Sequence, residues 1–83
     1  MGFDVVWSRI VNNAGKTFTT VSGIDFTYRV EGDGIVPDRT NYRISRRDFE
    51  TAWNLPSLTG PGQINNIVRG PAYVYAIITD PRI

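Results

Sequence analysis

Cysteine and histidine are both missing from this 83-residue sequence, and their absence excludes much of protein chemistry at once. Without cysteine there is neither a disulfide framework nor a thiolate metal site. Without histidine there is no Ser-His-Asp triad, no Cys-His dyad and no imidazole acid or base, and zinc sites go with them. A carboxylate-only site is the catalytic chemistry that remains. Long apolar runs are absent as well, so no membrane span is expected, and the amino terminus lacks a basic segment followed by an apolar one. A soluble chain in a reducing cytoplasm fits these absences. Lysine is scarce: Lys16 stands alone against eight arginines. Arginine favours planar, bidentate or stacked contacts over diffuse charge, although a lineage rich in arginine codons gives the same bias. Nine basic against eight acidic residues leave a net charge of +1, far from the bulk field of a protein that coats nucleic acid.

What is present is an ordinary globular composition, 41% hydrophobic and 20% charged, in a chain sized for one small domain spanning residues 1–83. A domain of this size buries only about 60–65% of its unfolded surface, so its core is thin and self-association is a natural recourse. The strongest local signal is Ile44-Ser45-Arg46-Arg47-Asp48-Phe49-Glu50-Thr51-Ala52-Trp53. Ser45 as N-cap puts Asp48 at the third helical position, where its carboxylate can answer free backbone donors and the positive helix end. Ile44 and Phe49 take the spacing of a hydrophobic staple, and Phe49, Ala52 and Trp53 form the core stripe. Asn54-Leu55-Pro56 ends the helix, because proline disfavours helical geometry in the residue before it.

Upstream, Phe3, Val6, Trp7 and Ile10 recur at helical spacing, with Asn12-Asn13-Ala14-Gly15 as the stop; the β-branched residues there also permit a strand. From Lys16 the period is two. Phe18 and Thr20, then Phe26, Tyr28 and Val30, read as a hairpin turning at Ser22-Gly23-Ile24-Asp25. After Glu31-Gly32-Asp33-Gly34 a third strand begins at Ile35, is interrupted at Pro37-Asp38 and resumes to Ile44, with the proline marking an edge strand. Further on, Pro61 suits the first position of a short helix carrying Ile64, Ile67 and Val68, and Gly70-Pro71 opens a last helix through Ile78. A buried strand is the competing reading of that last segment. The expected architecture is α+β, in the order α-β-β-β-α-α-α: an N-terminal helix, a three-stranded antiparallel meander, then two to three short helices on one sheet face.

Three sets of residues invite a function. Gly15-Lys16-Thr17 resembles the end of a phosphate-binding loop, but Ile10 stands where its first glycine belongs and a strand follows, so it reads as a helix cap. Asp33, Asp38, Asp48 and Glu50 are the only clustered acids; Asp33 and Asp38 have turn roles and Asp48 a capping role, and no metal or cofactor is expected. The arginines are more suggestive. If Phe18, Phe26, Tyr28, Val30, Tyr42 and Ile44 share the covered sheet face, the opposite face shows Thr17, Thr19, Thr27, Arg29 and Arg43, with Arg46 and Arg47 at the helix start. Short polar side chains among arginines suit contact with nucleic acid; a merely solvated face is the plain alternative. The last helix, apolar nearly all round, offers Tyr73, Val74, Tyr75 and Ile78 either to the core or to an interface with a protein partner or a second copy. Arg82 and Ile83 close the sequence without a polar tail, which suggests docking.

Gly15 followed by Phe18-x-Thr20, Phe26-Thr27-Tyr28, Ile44-Ser45-x-x-Asp48-Phe49-Glu50-x-Ala52, Gly70-Pro71-x-Tyr73-Val74-x-Ala76-Ile77 and Asp80-Pro81-Arg82-Ile83 together span most of the chain. This set resembles a family of small, largely uncharacterised bacterial α+β domains that look like products of mobile DNA, such as gene cassettes, or companions of restriction-type proteins. The resemblance implies a bacterial cytoplasmic accessory domain and brings no activity or site residues with it. The expected function is a non-enzymatic binding module, nucleic acid first and protein interaction second, with a carboxylate enzyme a remote third.

Overall fold

A computed structural model describes residues 2–83. The first helix, α1 (Phe3–Asn12), buries Phe3, Val6, Trp7 and Ile10, the four residues its spacing singles out. Asn13 seals its end: the Asn13 side chain and backbone N–H both donate to the Arg9 carbonyl, at 2.8 and 3.1 Å. Gly15 then turns the chain with a positive φ of 87°, and its N–H reaches the Tyr28 carbonyl at 3.0 Å. The Gly15-Lys16-Thr17 motif is thus an exit from α1 into a strand.

The strands sort into two sheets. β1 (Phe18–Thr19) pairs with β2 (Asp25–Phe26), opposing Phe18 to Phe26 and Thr19 to Asp25. β3 (Tyr28–Glu31), β4 (Gly34–Pro37) and β5 (Ile44–Ser45) form the three-stranded antiparallel meander. The α+β class, the N-terminal helix and the meander are as expected; the membership of the meander is not. Residues 26–31 do not form one strand. Phe26 faces Phe18 whereas Tyr28 faces Pro37, and between them Thr27 leaves both ladders to bond Asp38, its N–H donating to Oδ1 at 3.0 Å and its carbonyl accepting from Asp38 N at 2.9 Å. Residues 35–44 likewise fold back on themselves, so that Ile35 opposes Ile44. Pro37 consequently lies in the central strand rather than at an edge. It is tolerated because β5 pairs only with Gly34 and Ile35, leaving no ladder partner for the missing N–H.

β5 leads directly into α2 (Arg46–Trp53), capped as its sequence predicts, with Asp48 N donating to Ser45 Oγ at 3.3 Å. Ile44 and Phe49 are fully buried. A 3-10 turn, Pro61–Ile64, is all that forms of the expected short helix: Ile64 is buried but Ile67 is exposed. α3 (Pro71–Ile78) is helical, which settles the helix-or-strand alternative, and opens with Gly70 in the left-handed region and Pro71 in the first turn. Val74, Ala76, Ile77 and Ile78 are all buried. One hydrophobic cluster joins α1, both sheets, α2, α3 and Ile83. Trp53, expected in the core with Phe49, packs only against its margin.

The C-terminal residues are docked. Ile83 is buried and its carbonyl accepts from the Arg9 guanidinium at 3.0 Å. Arg82 lies over the Phe18 ring at 4.1 Å, donates to Thr17 O at 2.9 Å and grips both carboxylate oxygens of Asp80 at 2.9 and 3.0 Å.

Candidate nucleic-acid interface

The hairpin between β3 and β4 has a two-residue loop, Gly32-Asp33, with Gly32 at φ 59° and Asp33 at ordinary φ, the pattern of a type II′ turn. This turn folds toward the start of α2, where the Asp33 carbonyl accepts the Arg46 N–H at 2.6 Å. The contact answers one of the donors left free at a helix N-terminus, and the Ser45 hydroxyl answers another. Turn and helix start together enclose a cleft of about 390 Å³ lined by Asp33, Arg43, Ser45, Arg46, Arg47 and Glu50.

Arg43 enters this cleft across the sheet. It immediately precedes β5, and its stem lies over Gly34, so close that a Cβ there would stand 2.8 Å from Arg43 Cγ and 2.6 Å from the Ile44 carbonyl. Glycine at position 34 is what lets the arginine lie flat. Arg46 is drawn the other way, into an ion pair with Asp4, with its guanidinium 5.6 Å from the Phe3 ring centroid and 5.9 Å from that of Trp7. It therefore straps α1 to α2 and lends the cleft only part of its charge. Arg47 is exposed, and neither Arg43 nor Arg47 has an ion-pair partner among the described residues. Asp33 and Glu50 contribute opposing charge at the rim.

Of the seven residues expected on or just beyond one open face, the cleft gathers Arg43, Arg46 and Arg47, while Thr17 precedes β1 and gives its carbonyl to Arg82. Arg29 is on the same side of the sheet but is engaged by Glu31 at 3.4 Å, both side chains more than half exposed. Thr19 belongs to the other sheet and donates to Asp25 Oδ1 at 2.7 Å. Thr27 is held by Asp38 at the corner between sheets. The expectation of one continuous threonine and arginine face fails at this corner, since the hairpin that carries Thr19 is not an extension of the meander. The helix residues expected at an interface also divide. Val74 is fully buried and Ile78 nearly so, both spent on the core of a single chain, while Tyr73 and Tyr75 keep partial exposure. A smaller groove of about 160 Å³ is lined by Ala52, Trp53, Leu55, Leu58, Ile78 and Thr79.

Sequence reasoning missed Arg69. Its backbone N–H donates to Asp48 Oδ2 at 3.2 Å, so the acid expected to serve α2 instead ties the segment before α3 to that helix's first turn. The Arg69 guanidinium sits 4.7 Å from the Tyr42 ring centroid. Burial and the neighbouring Tyr73 raise the Tyr42 hydroxyl above its ordinary pKa, and Arg69 partly offsets this. No local pattern in the sequence announces a contact between residues so far apart. No group of three or more acids close enough to hold a metal ion occurs among the described residues. Among the described residues no helix is long and apolar enough to cross a membrane. No protein-family model, curated protein or solved structure matches the chain.

Proposed function

We propose that this domain is a non-catalytic binding module whose partner is nucleic acid, held at the cleft between the Gly32-Asp33 turn and the start of α2. The observation that carries this reading is the convergence of Arg43, Arg46 and Arg47 there, two of them free of acidic partners among the described residues. Guanidiniums clustered beside a helix start suit phosphate oxygens, through paired N–H donors and the positive end of the helix. The acids at the rim limit the attraction, in keeping with a net charge of +1 and a partner that is gripped locally rather than coated. The setting implied by the family resemblance, a bacterial cytoplasmic accessory domain carried on mobile DNA, accords with this role.

The test is fluorescence anisotropy with labelled DNA and RNA across a salt series, comparing the natural protein with an Arg43→Gln/Arg47→Ala variant. Arg46 is left in place because its loss would loosen α1 from α2. Binding should weaken with salt, and the log–log slope should fall by about one for each phosphate contact removed. An unchanged affinity and slope in the variant would sink the proposal. A second reading, a protein partner or a second copy, rests on the Trp53, Leu55, Leu58 and Ile78 groove. A mass that stays monomeric at high concentration would remove its self-associating form.

A further inference from the structure

The arginine cleft holds acids as well, and phosphate contact gives them nothing to do. Asp33 and Glu50 line it together with Arg43, Arg46 and Arg47, yet neither carboxylate forms an ion pair among the described residues. The one arginine of the cleft that is paired, Arg46, reaches outside it to Asp4. Charges of both signs thus share about 390 Å³ without neutralising one another. The hairpin accounts for how two of them are seated. Arg43 is laid along its glycines: a Cβ at Gly34 would stand 2.8 Å from Arg43 Cγ and 3.0 Å from Cδ, and one at Gly32 would stand 3.5 Å from Nη1. The guanidinium therefore lies at Gly32, next to Asp33 in the two-residue turn. Asp33 is anchored through its carbonyl, which accepts the Arg46 N–H at 2.6 Å. An exposed donor and an exposed acceptor are seated on one tight turn, with Arg47 on the α2 wall of the same cleft.

We infer that the nucleic acid recognised here is RNA, read through a ribose 2′-hydroxyl that donates to the Asp33 carboxylate while the neighbouring phosphate is held by Arg43 and Arg47. The inference rests on the nucleic-acid reading above and narrows it. A carboxylate only accepts hydrogen bonds, so in a phosphate-binding cleft it repels whatever does not bring a donor. The phosphates and sugars of a DNA strand bring none, and Asp33 would meet them as bare repulsion. A ribonucleotide carries the missing donor on the sugar that bears the phosphate, and that hydroxyl is the group by which RNA is told from DNA. Dinucleotide-binding folds pair the same groups, an acid on the ribose hydroxyl beside a bound phosphate. Glu50 has no anchor comparable to that of Asp33. It stands exposed on α2, one turn beyond Arg47, and adds only repulsion.

The experiment uses labelled single strands of one mixed sequence, roughly 12 nucleotides long, made as RNA, as DNA and as 2′-fluoro RNA. The fluorinated strand keeps the RNA sugar shape but cannot donate. The natural protein should bind RNA about tenfold more tightly than either of the others, as expected for one hydrogen bond to a charged group. Asp33→Ala should bring RNA down to the affinity of DNA without weakening DNA binding. Glu50→Ala should strengthen both alike and keep the preference, because it removes repulsion and no contact. The fluorinated strand tests the hydroxyl without altering the protein, so the inference stays testable even if Asp33→Ala unfolds it. Equal affinity for RNA and DNA, both weakening with salt, would overturn the inference and leave the arginine cleft standing. A preference for RNA that survives fluorination or Asp33→Ala would place the discrimination elsewhere and equally overturn it. Absence of binding to all three strands at low salt would remove both readings together.

Discussion

Gly70 shows how one missing methyl group sets the packing of three segments. Its φ of 61° is in the left-handed region, and an added Cβ would stand 2.8 Å from Ile44 Cδ1, 3.0 Å from the Tyr42 hydroxyl and 3.3 Å from Tyr73 Cδ2. Gly15 has a comparable backbone, φ 87°, but nothing within 4 Å of its would-be Cβ. The pair separates conformational strain from steric overlap. Gly15→Ala should cost about 1–2 kcal/mol, the left-handed penalty alone. Gly70→Ala adds overpacking and should cost about 2–4 kcal/mol. Urea unfolding of the two variants checks this, and equal losses would mean that the Gly70 surroundings yield easily. The Gly70-Pro71 start of α3 was readable in the sequence, because a left-handed residue followed by a fixed-φ residue is a local signature. The contact with Ile44 and Tyr42, which makes that glycine indispensable, was not, since it joins segments with no sequence periodicity in common.

At the scale of elements, the loop before the 3-10 turn depends on Gln63. Its Oε1 accepts from the N–H groups of Thr59 and Gly60, the latter at 3.1 Å, and its Nε2 donates to the Ser57 carbonyl at 2.7 Å. One exposed amide thus replaces the secondary structure that residues 57–60 lack. Gln63→Ala should lower global stability by only about 1 kcal/mol but expose the Thr59 and Gly60 amides to hydrogen exchange, leaving protection in α1 and α2 intact. Uniform loss of protection would show instead that this loop opens with the core. The same contrast explains what the sequence disclosed. Helix ends are decided by neighbours three or four residues away, so α1, the Ser45 cap and the stop at Asn54 were legible. Strand partners are decided at a distance. Nothing in Phe26-Thr27-Tyr28 says that alternate residues answer to different sheets; the choice is made by Asp38, which bonds Thr27. The candidate site inherits this division. Arg43, Arg46 and Arg47 belong to one local run and stayed together, whereas Thr19 was lost with its hairpin.

For the molecule as a whole, two ionisable groups at one junction shape stability against pH. Tyr28 is buried and donates its hydroxyl to the Ile10 carbonyl at 2.5 Å; desolvation pushes its pKa well above the ordinary tyrosine value, with Arg82 lowering it and Asp80 raising it slightly. The raised value belongs to the folded state, so this stabilisation is complete below about pH 10, where the unfolded chain ionises, and declines by about 1.4 kcal/mol per pH unit above it. Asp80 is shifted the opposite way, held below the usual carboxylate range chiefly by its hydrogen bonds from Arg82, with burial opposing. Its contribution is present above about pH 4 and is lost as pH falls through the lower folded value. Stability measured from about pH 2 to about pH 11 should therefore form a dome. Tyr28→Phe should make the alkaline limb shallower and Asp80→Asn the acid limb. Limbs unaltered by these changes would place the titrating groups elsewhere.

The clasp between the two ends of the sequence has a consequence in time. The Arg9 to Ile83 hydrogen bond spans 74 residues and the Arg82 to Thr17 bond 65, so each closes nearly the largest loop the chain can make. Contacts of such span are assembled late, after locally encoded pieces such as the Ser45-capped turn have formed. Removing them should hasten escape from the native basin without delaying arrival. In stopped-flow chevrons, Arg82→Ala should raise the unfolding rate several-fold with refolding almost unchanged, whereas Ser45→Ala should slow refolding. The reverse assignment would place the terminal clasp in the folding nucleus. If the clasp forms last, it is a latch: it governs how long each folded molecule persists against a protease that acts only on the open chain.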